Sequence, residues 1–249
     1  MKSAPCRLVL FLSAVILLSA TPSLKAQEAS ATKALAGPTV TFKFFWEQGR
    51  PWTAYKLTVA STGAAHFEGV PSATENGDTD AFQQDFNIST ANRDKIFELA
   101  KKLNYFKGDF DFHQKRIAKT GEKTLIYHAA PEGGVPGVSA IDNSTSYNFS
   151  QNADVQELTR LFQSIATTLD YGRKLAFQYR FDKLGLDARL RELQELQSSK
   201  FAEELNAIRP ILQKIASDPN TMHISRETAQ QLLRSLPAAP ETAGNASQP

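Results

Sequence analysis

The hydrophobic period changes along this chain, and that change limits its fold more than any other feature. From Trp52 to Ala60, WTAYKLTVA, the pattern alternates: Tyr55, Leu57 and Val59 share one face and Lys56 and Thr58 the other, as in a half-buried strand. From Asp154 the repeat is helical, with Leu158, Leu161, Phe162, Ile165 and Leu169 on one face. Strands joined by short turns come first and helices afterwards. This predicts an α+β fold: a small antiparallel sheet with one packed helix, followed by an all-helical C-terminal extension.

In the first half, strands are expected at 39–46 (TVTFKFFW), 52–60 and 64–70. The turn 61–63, ending in Gly63, makes a hairpin of the last two. The segment 71–80 is rich in turn residues, and 82–88 reads as a further short strand. Ile96, Leu99, Ala100 and Leu103 then fall at i, i+3, i+4 and i+7 of a helix capped by Ser89 or Thr90, with Phe97 at the edge of the stripe and Asn104 at its exit. A strand centred on 124–128, a Pro/Gly loop at 131–137 and a broken strand pair at 138–141 and 146–149 complete the sheet.

In the second half, Gly172 interrupts the helical stripe and Leu184-Gly185-Leu186 breaks it. Asp187 caps a second long helix carrying Leu190, Leu193, Leu196, Phe201, Leu205, Ile208, Leu212 and Ile215 to about residue 216, and Pro210 is expected to kink it. The short break predicts an antiparallel helical hairpin. A third helix spans 225–236, and 237–249 reads as a disordered tail.

The first 26 residues have a basic start (Lys2, Arg7), an apolar run from Leu8 to Ala20 and a small residue, Ala26, suited to cleavage. This is the pattern of a secretory signal peptide, and it places the protein in the periplasm or outside the cell. Residues 27–38 follow as a flexible linker, 39–150 as the α+β domain and 151–236 as the helical extension. No other run is apolar enough to span a membrane. The leader holds Cys6, the single cysteine, so the mature chain has no thiol for catalysis, disulfides or zinc. It also holds Lys2, Arg7 and Lys25 and no acid. Of 28 bases, 25 therefore remain against 26 acids, a net charge of −1 that argues against general nucleic-acid binding.

Several stretches between residues 40 and 130 resemble a bacterial secreted family known as domain of unknown function 6438. They are Gly-Arg-Pro-Trp-Thr-Ala-Tyr (49–55) leading into a strand, Gly63, Phe-Glu-Gly (67–69), the helix ending Asn-Tyr-Phe (104–106) and the strand beginning near Thr124. The chain departs from the family pattern in lacking its two cysteines and in having Thr120-Gly121 where the family has Thr-Asp. The resemblance implies no activity.

Candidate chemistry is sparse. Asp109, Asp111 and His113 alternate in GDFDFH and would point one way if extended; two carboxylates and an imidazole are acceptable metal ligands. A surface loop is the competing reading. His66 and His128 lie in expected strands and, with Asp142, could form an acid–base site. Gly-x-Ser-x-Gly and His-Glu-x-x-His motifs are missing, as is any glycine-rich phosphate loop, and no cofactor is implied. Trp46 and Trp52 flank the first turn and could stack a ligand. Arg173, Lys174, Arg180, Lys183, Arg189 and Arg191 interleave with Phe177, Tyr179 and Phe181, either as a surface for anionic polymers or lipid headgroups or as a solvated helix face. The expectation is a non-catalytic binding or interaction module whose C-terminal helices meet a protein partner or a second copy. The alternative is an envelope-acting hydrolase with a His/Asp site.

Overall fold

The alternating segments form six antiparallel strands: β1 (Thr39–Phe45), β2 (Trp52–Ala60), β3 (Ala64–Pro71), β4 (Phe82–Asn87), β5 (Glu122–Ala129) and β6 (Ile141–Tyr147), ordered β4-β3-β2-β1-β5-β6. The computed structural model describes residues 35, 37–72, 80–114, 116–130 and 140–236. The expected leader, most of the linker, most of the 71–80 segment, the 131–137 loop and the tail lie outside them. The broken strand pair is instead one continuous strand, β6. Its run Asp142-Asn143-Ser144-Thr145-Ser146 hides it from a hydrophobic reading, because at the sheet edge only Thr145 and Tyr147 are buried.

The first helix, α1 (Thr90–Lys102), is capped by Ser89, whose side chain accepts the Asn92 N–H at 3.3 Å. Ile96, Leu99, Ala100 and Leu103 are buried, and Phe97 packs at the margin of the core. The helix leaves through a left-handed turn: Asn104, Tyr105 and Phe106 have φ of 51°, 53° and 64°. That conformation costs roughly 1–2 kcal/mol per residue. Full burial of Phe106, and the contact of Tyr105 with Tyr127 at 4.6 Å between ring centres, offset it.

The second helix, α2 (Ala153–Phe181), runs straight through Gly172. A Cβ there would lie 2.3 Å from the Ile208 side chain, so the glycine serves packing rather than interruption. Val155 to Leu169 belong to the sheet core: Phe162 stacks on Phe42 at 5.2 Å, and the Trp52 indole N–H donates to the Ala166 carbonyl at 3.0 Å. From Tyr171 onward the same helix belongs to a second core. The two cores therefore meet inside one helix, near residue 170.

A tight turn at Lys183–Gly185 leads into α3 (Leu186–Ser198). The two helices are antiparallel: Arg189 lies over Tyr171, while Arg160, three turns earlier in α2, reaches the Lys200 carbonyl. The expected second long helix stops at Ser198. Lys200 and Glu204 adopt left-handed φ of 61° and 60°, and Phe201, expected in the stripe, is exposed. Pro210 sits in the first turn of a new helix, α4 (Arg209–Ser217), where its missing N–H costs nothing, instead of kinking an old one. The last helix, α5 (His223–Arg234), closes the second core.

Candidate functional site

The inner face of the sheet carries Val40, Phe42, Leu57, Val59, Phe67 and Leu125 into the core. The opposite parity of the same strands builds the outer face, and the strand register orders it into rows. Val70, Ala54 and Phe45 form an apolar row across β3, β2 and β1. Beside it, Gln83, Glu68, Lys56, Lys43 and Thr124 form a charged row across five strands. The next row sets Asp85, His66, Thr58, Thr41 and Ile126 in line, with Thr41 donating to Thr58 at 3.1 Å. A hollow of about 500 Å³ lies over the first two rows, and among the described residues its walls come from strands β1 to β5 and Ala81. Phe45 is 51% and Val70 43% exposed. Lys43 directly opposes Lys56, a repulsive cross-strand pair that Glu68, 3.4 Å from the Lys56 ammonium, relieves.

His66 lies beside this hollow with both ring nitrogens engaged, Nδ1 with Asp85 at 2.5 Å and Nε2 with Glu68 at 3.0 Å. His128 faces Asp142 across the β5–β6 pair, and both are exposed. Two strands separate His66 from His128, roughly 14 Å at ordinary strand spacing. The three residues named for an acid–base site therefore do not converge.

Asp109, Asp111 and His113 do come together, through a turn in which His113 has φ of 52°. His113 Nε2 is 2.6 Å from Asp109 and Nδ1 3.2 Å from Asp111, so each carboxylate is directed at a ring nitrogen and not at a common centre. Among the described residues, no group of three or more His, Asp or Glu side chains is arranged to hold a metal ion. The hydrogen bond and charge of Asp109 raise the His113 pKa. The same hydrogen bond lowers that of Asp109. Burial works to raise the Asp111 pKa, but backbone donors, Asn148 N–H first among them, outweigh it and hold it low.

The remaining candidates divide. Trp52 is a core residue and so is not open to stack a ligand, whereas Trp46 is half-buried. Arg173 and Lys174 hold the buried Asp170 at 3.1 and 2.9 Å, beside a 250 Å³ pocket that Arg50 also lines. The Arg173 guanidinium lies 5.6 Å over Trp52. Arg180 belongs to the far end of α2 and Lys183 to the turn after it, where Lys183 donates to Asp218 at 2.6 Å. One basic side chain escaped the sequence reading. Lys123 points inward, and its ammonium donates to the carbonyls of Thr120, Gly121 and Asn148 and to the Thr120 hydroxyl. Burial pushes its pKa down to about 8. Phe45 and Val70 also went unnoticed; the legible signal was Phe45, an aromatic sharing strand parity with Lys43. No protein-family model matches this chain, and no curated protein matches it.

Proposed function

We propose that the protein is a secreted or periplasmic, non-catalytic binding module that holds its ligand or partner on the open outer face of the sheet. The observation that carries this reading is the hollow itself, where Phe45 and Val70 stand exposed beside a Lys43–Lys56 pair and, among the described residues, no helical one contributes to the walls. The C-terminal helices are the weaker candidate for the partner surface, because Leu190, Leu193, Leu212 and Ile215 of their apolar stripe are fully buried within the chain. A hydrolase would need a histidine nitrogen free to move a proton in a shared cleft, whereas His66 and His113 have both nitrogens engaged. Kinship with the secreted family named above remains part of this proposal. The residues that suggest it fall on the β2–β3 hairpin and the turn before it, on the left-handed turn after α1 and on β5.

The test uses 8-anilinonaphthalene-1-sulfonate, an apolar anion, as a fluorescent probe of the native protein. Binding that Val70→Glu and Lys43→Glu each weaken at least tenfold, and that His66→Ala leaves unchanged, supports the reading. Binding indifferent to Val70 and Lys43 rejects it. So does turnover of envelope-derived esters or glycans that His66→Ala or His128→Ala abolishes.

A further inference from the structure

The tip of the helical hairpin carries the two most exposed large apolar side chains among the described residues, Leu184 at 78% and Phe181 at 64%. Phe177, at 40%, lies one turn before Phe181 on the same face of α2, and their rings meet at 4.9 Å. The cause is local. The second core takes Tyr171 and Leu175 from this helix, and Tyr179 turns inward to bond Asp218 at 3.0 Å. Phe177 and Phe181 therefore project outward, and Leu184 follows in the turn. Three bases stand near them: the Arg180 guanidinium lies 4.9 Å over the Phe181 ring, while Lys214 and Lys183, the latter also donating to Asp218, flank Tyr179 on the other side.

We propose that this tip is a peripheral membrane contact, with Phe177, Phe181 and Leu184 entering the headgroup layer of an anionic bilayer and Arg180 meeting its phosphates. Aromatic rings and leucine at a convex corner with adjoining bases are the side chains that the interfacial region favours. A protein partner fits less well, because a stable interface needs about 800 Å² from each side, and three projecting side chains offer no groove to fill. Among the described residues no helix is long and apolar enough to cross a membrane, so the contact lies on the surface. This inference does not depend on the outer face of the sheet.

The experiment is co-sedimentation of the protein, expressed with its own leader and purified as the cell delivers it. The vesicles are phosphatidylcholine alone or phosphatidylcholine with about one-third phosphatidylglycerol, a content high enough to set a negative surface potential. Binding to the anionic vesicles should weaken at least tenfold in the double variant Phe181→Ser/Leu184→Ser. Arg180→Glu should weaken it several-fold and reduce its salt dependence. Unchanged circular dichroism and thermal midpoint in both variants would confirm that they fold. Equal sedimentation of wild type and variants, or none, overturns the proposal. A concentration-dependent dimer in light scattering that the double variant abolishes also overturns it, and assigns the tip to a second copy of the chain.

Discussion

On the sheet, Phe45 and Val70 stand about half exposed in a row that crosses three strands. In the helices, Leu190, Leu193, Leu212 and Ile215 are all fully buried. The two regions meet the same requirement differently. A sheet has two faces, and one packed layer of helix satisfies only one of them. A helix has a single apolar stripe, and three short helices folded against the end of a long one close it completely. Unexplained apolar surface is therefore more informative on the sheet, where the outer face is free to be polar throughout and here carries one apolar row. On the helical side it is greatest at the tip, at Leu184 and Phe181, and recurs at Phe201 and Ile224.

The largest expected effect is at the seam between the regions. Trp52→Ala should cost about 3–5 kcal/mol in chemical denaturation, because the indole is buried and its N–H is tied to Ala166. Phe45→Ala, on the outer face of the neighbouring strand, should stay within about 0.5 kcal/mol. Near-equal losses would mean that the outer face is packed. Next, Leu212→Ala in the helical core should cost about 2–5 kcal/mol. Because α2 serves both cores, the loss should shift one common transition seen by tryptophan fluorescence and by far-ultraviolet dichroism. Two separate transitions would split the molecule after all. Glu204→Gln should cost about 1–2 kcal/mol: this carboxylate reaches across to the start of α1, accepting the Ser89 N–H at 3.0 Å, the Ser89 hydroxyl and the Asn92 amide at 2.6 Å.

A further effect concerns pH. The Lys123 pKa is about 8 when folded against an ordinary 10.5, so between these values the unfolded chain holds more protons. Stability from this residue should then rise with pH above about 8, by at most about 1.4 kcal/mol per pH unit. Denaturation midpoints from pH 7 to 10 should show that rise in the wild type and lack it in Lys123→Met.

Much of the fold was legible because period and capping are local. Tyr55, Leu57 and Val59 face inward as their alternation requires, and Ser89 caps the helix it precedes. What misled were features whose meaning is set at a distance. Pro210 reads as a kink until the left-handed residues Lys200 and Glu204 end the preceding helix. Gly172 reads as a break until Ile208 is seen to need its space. The polar β6 is held as a strand by its pairing with β5. Of the site residues, Asp109, Asp111 and His113 are near in sequence and near in space. His66, His128 and Asp142 needed the strand order to be told apart. Glu68 and Asp85, which occupy His66, become its neighbours only through the β3–β4 hairpin and strand parity.

The long-range ties across the seam also set an order of events in time. Trp52 waits for Ala166, Gln84 for Ala207, and Ser89 for Glu204, separations of 114, 123 and 115 residues. A ribosome adds about 5–20 residues per second, so the first strands are made several seconds before their closing partners exist. Local hairpins form on the microsecond scale, but contacts this distant in sequence carry a large loop-closure cost and slow the final step. For that interval Phe42, Trp52 and Phe67 have no cover from α2. The nascent protein is open until its last third emerges, and it completes both cores together.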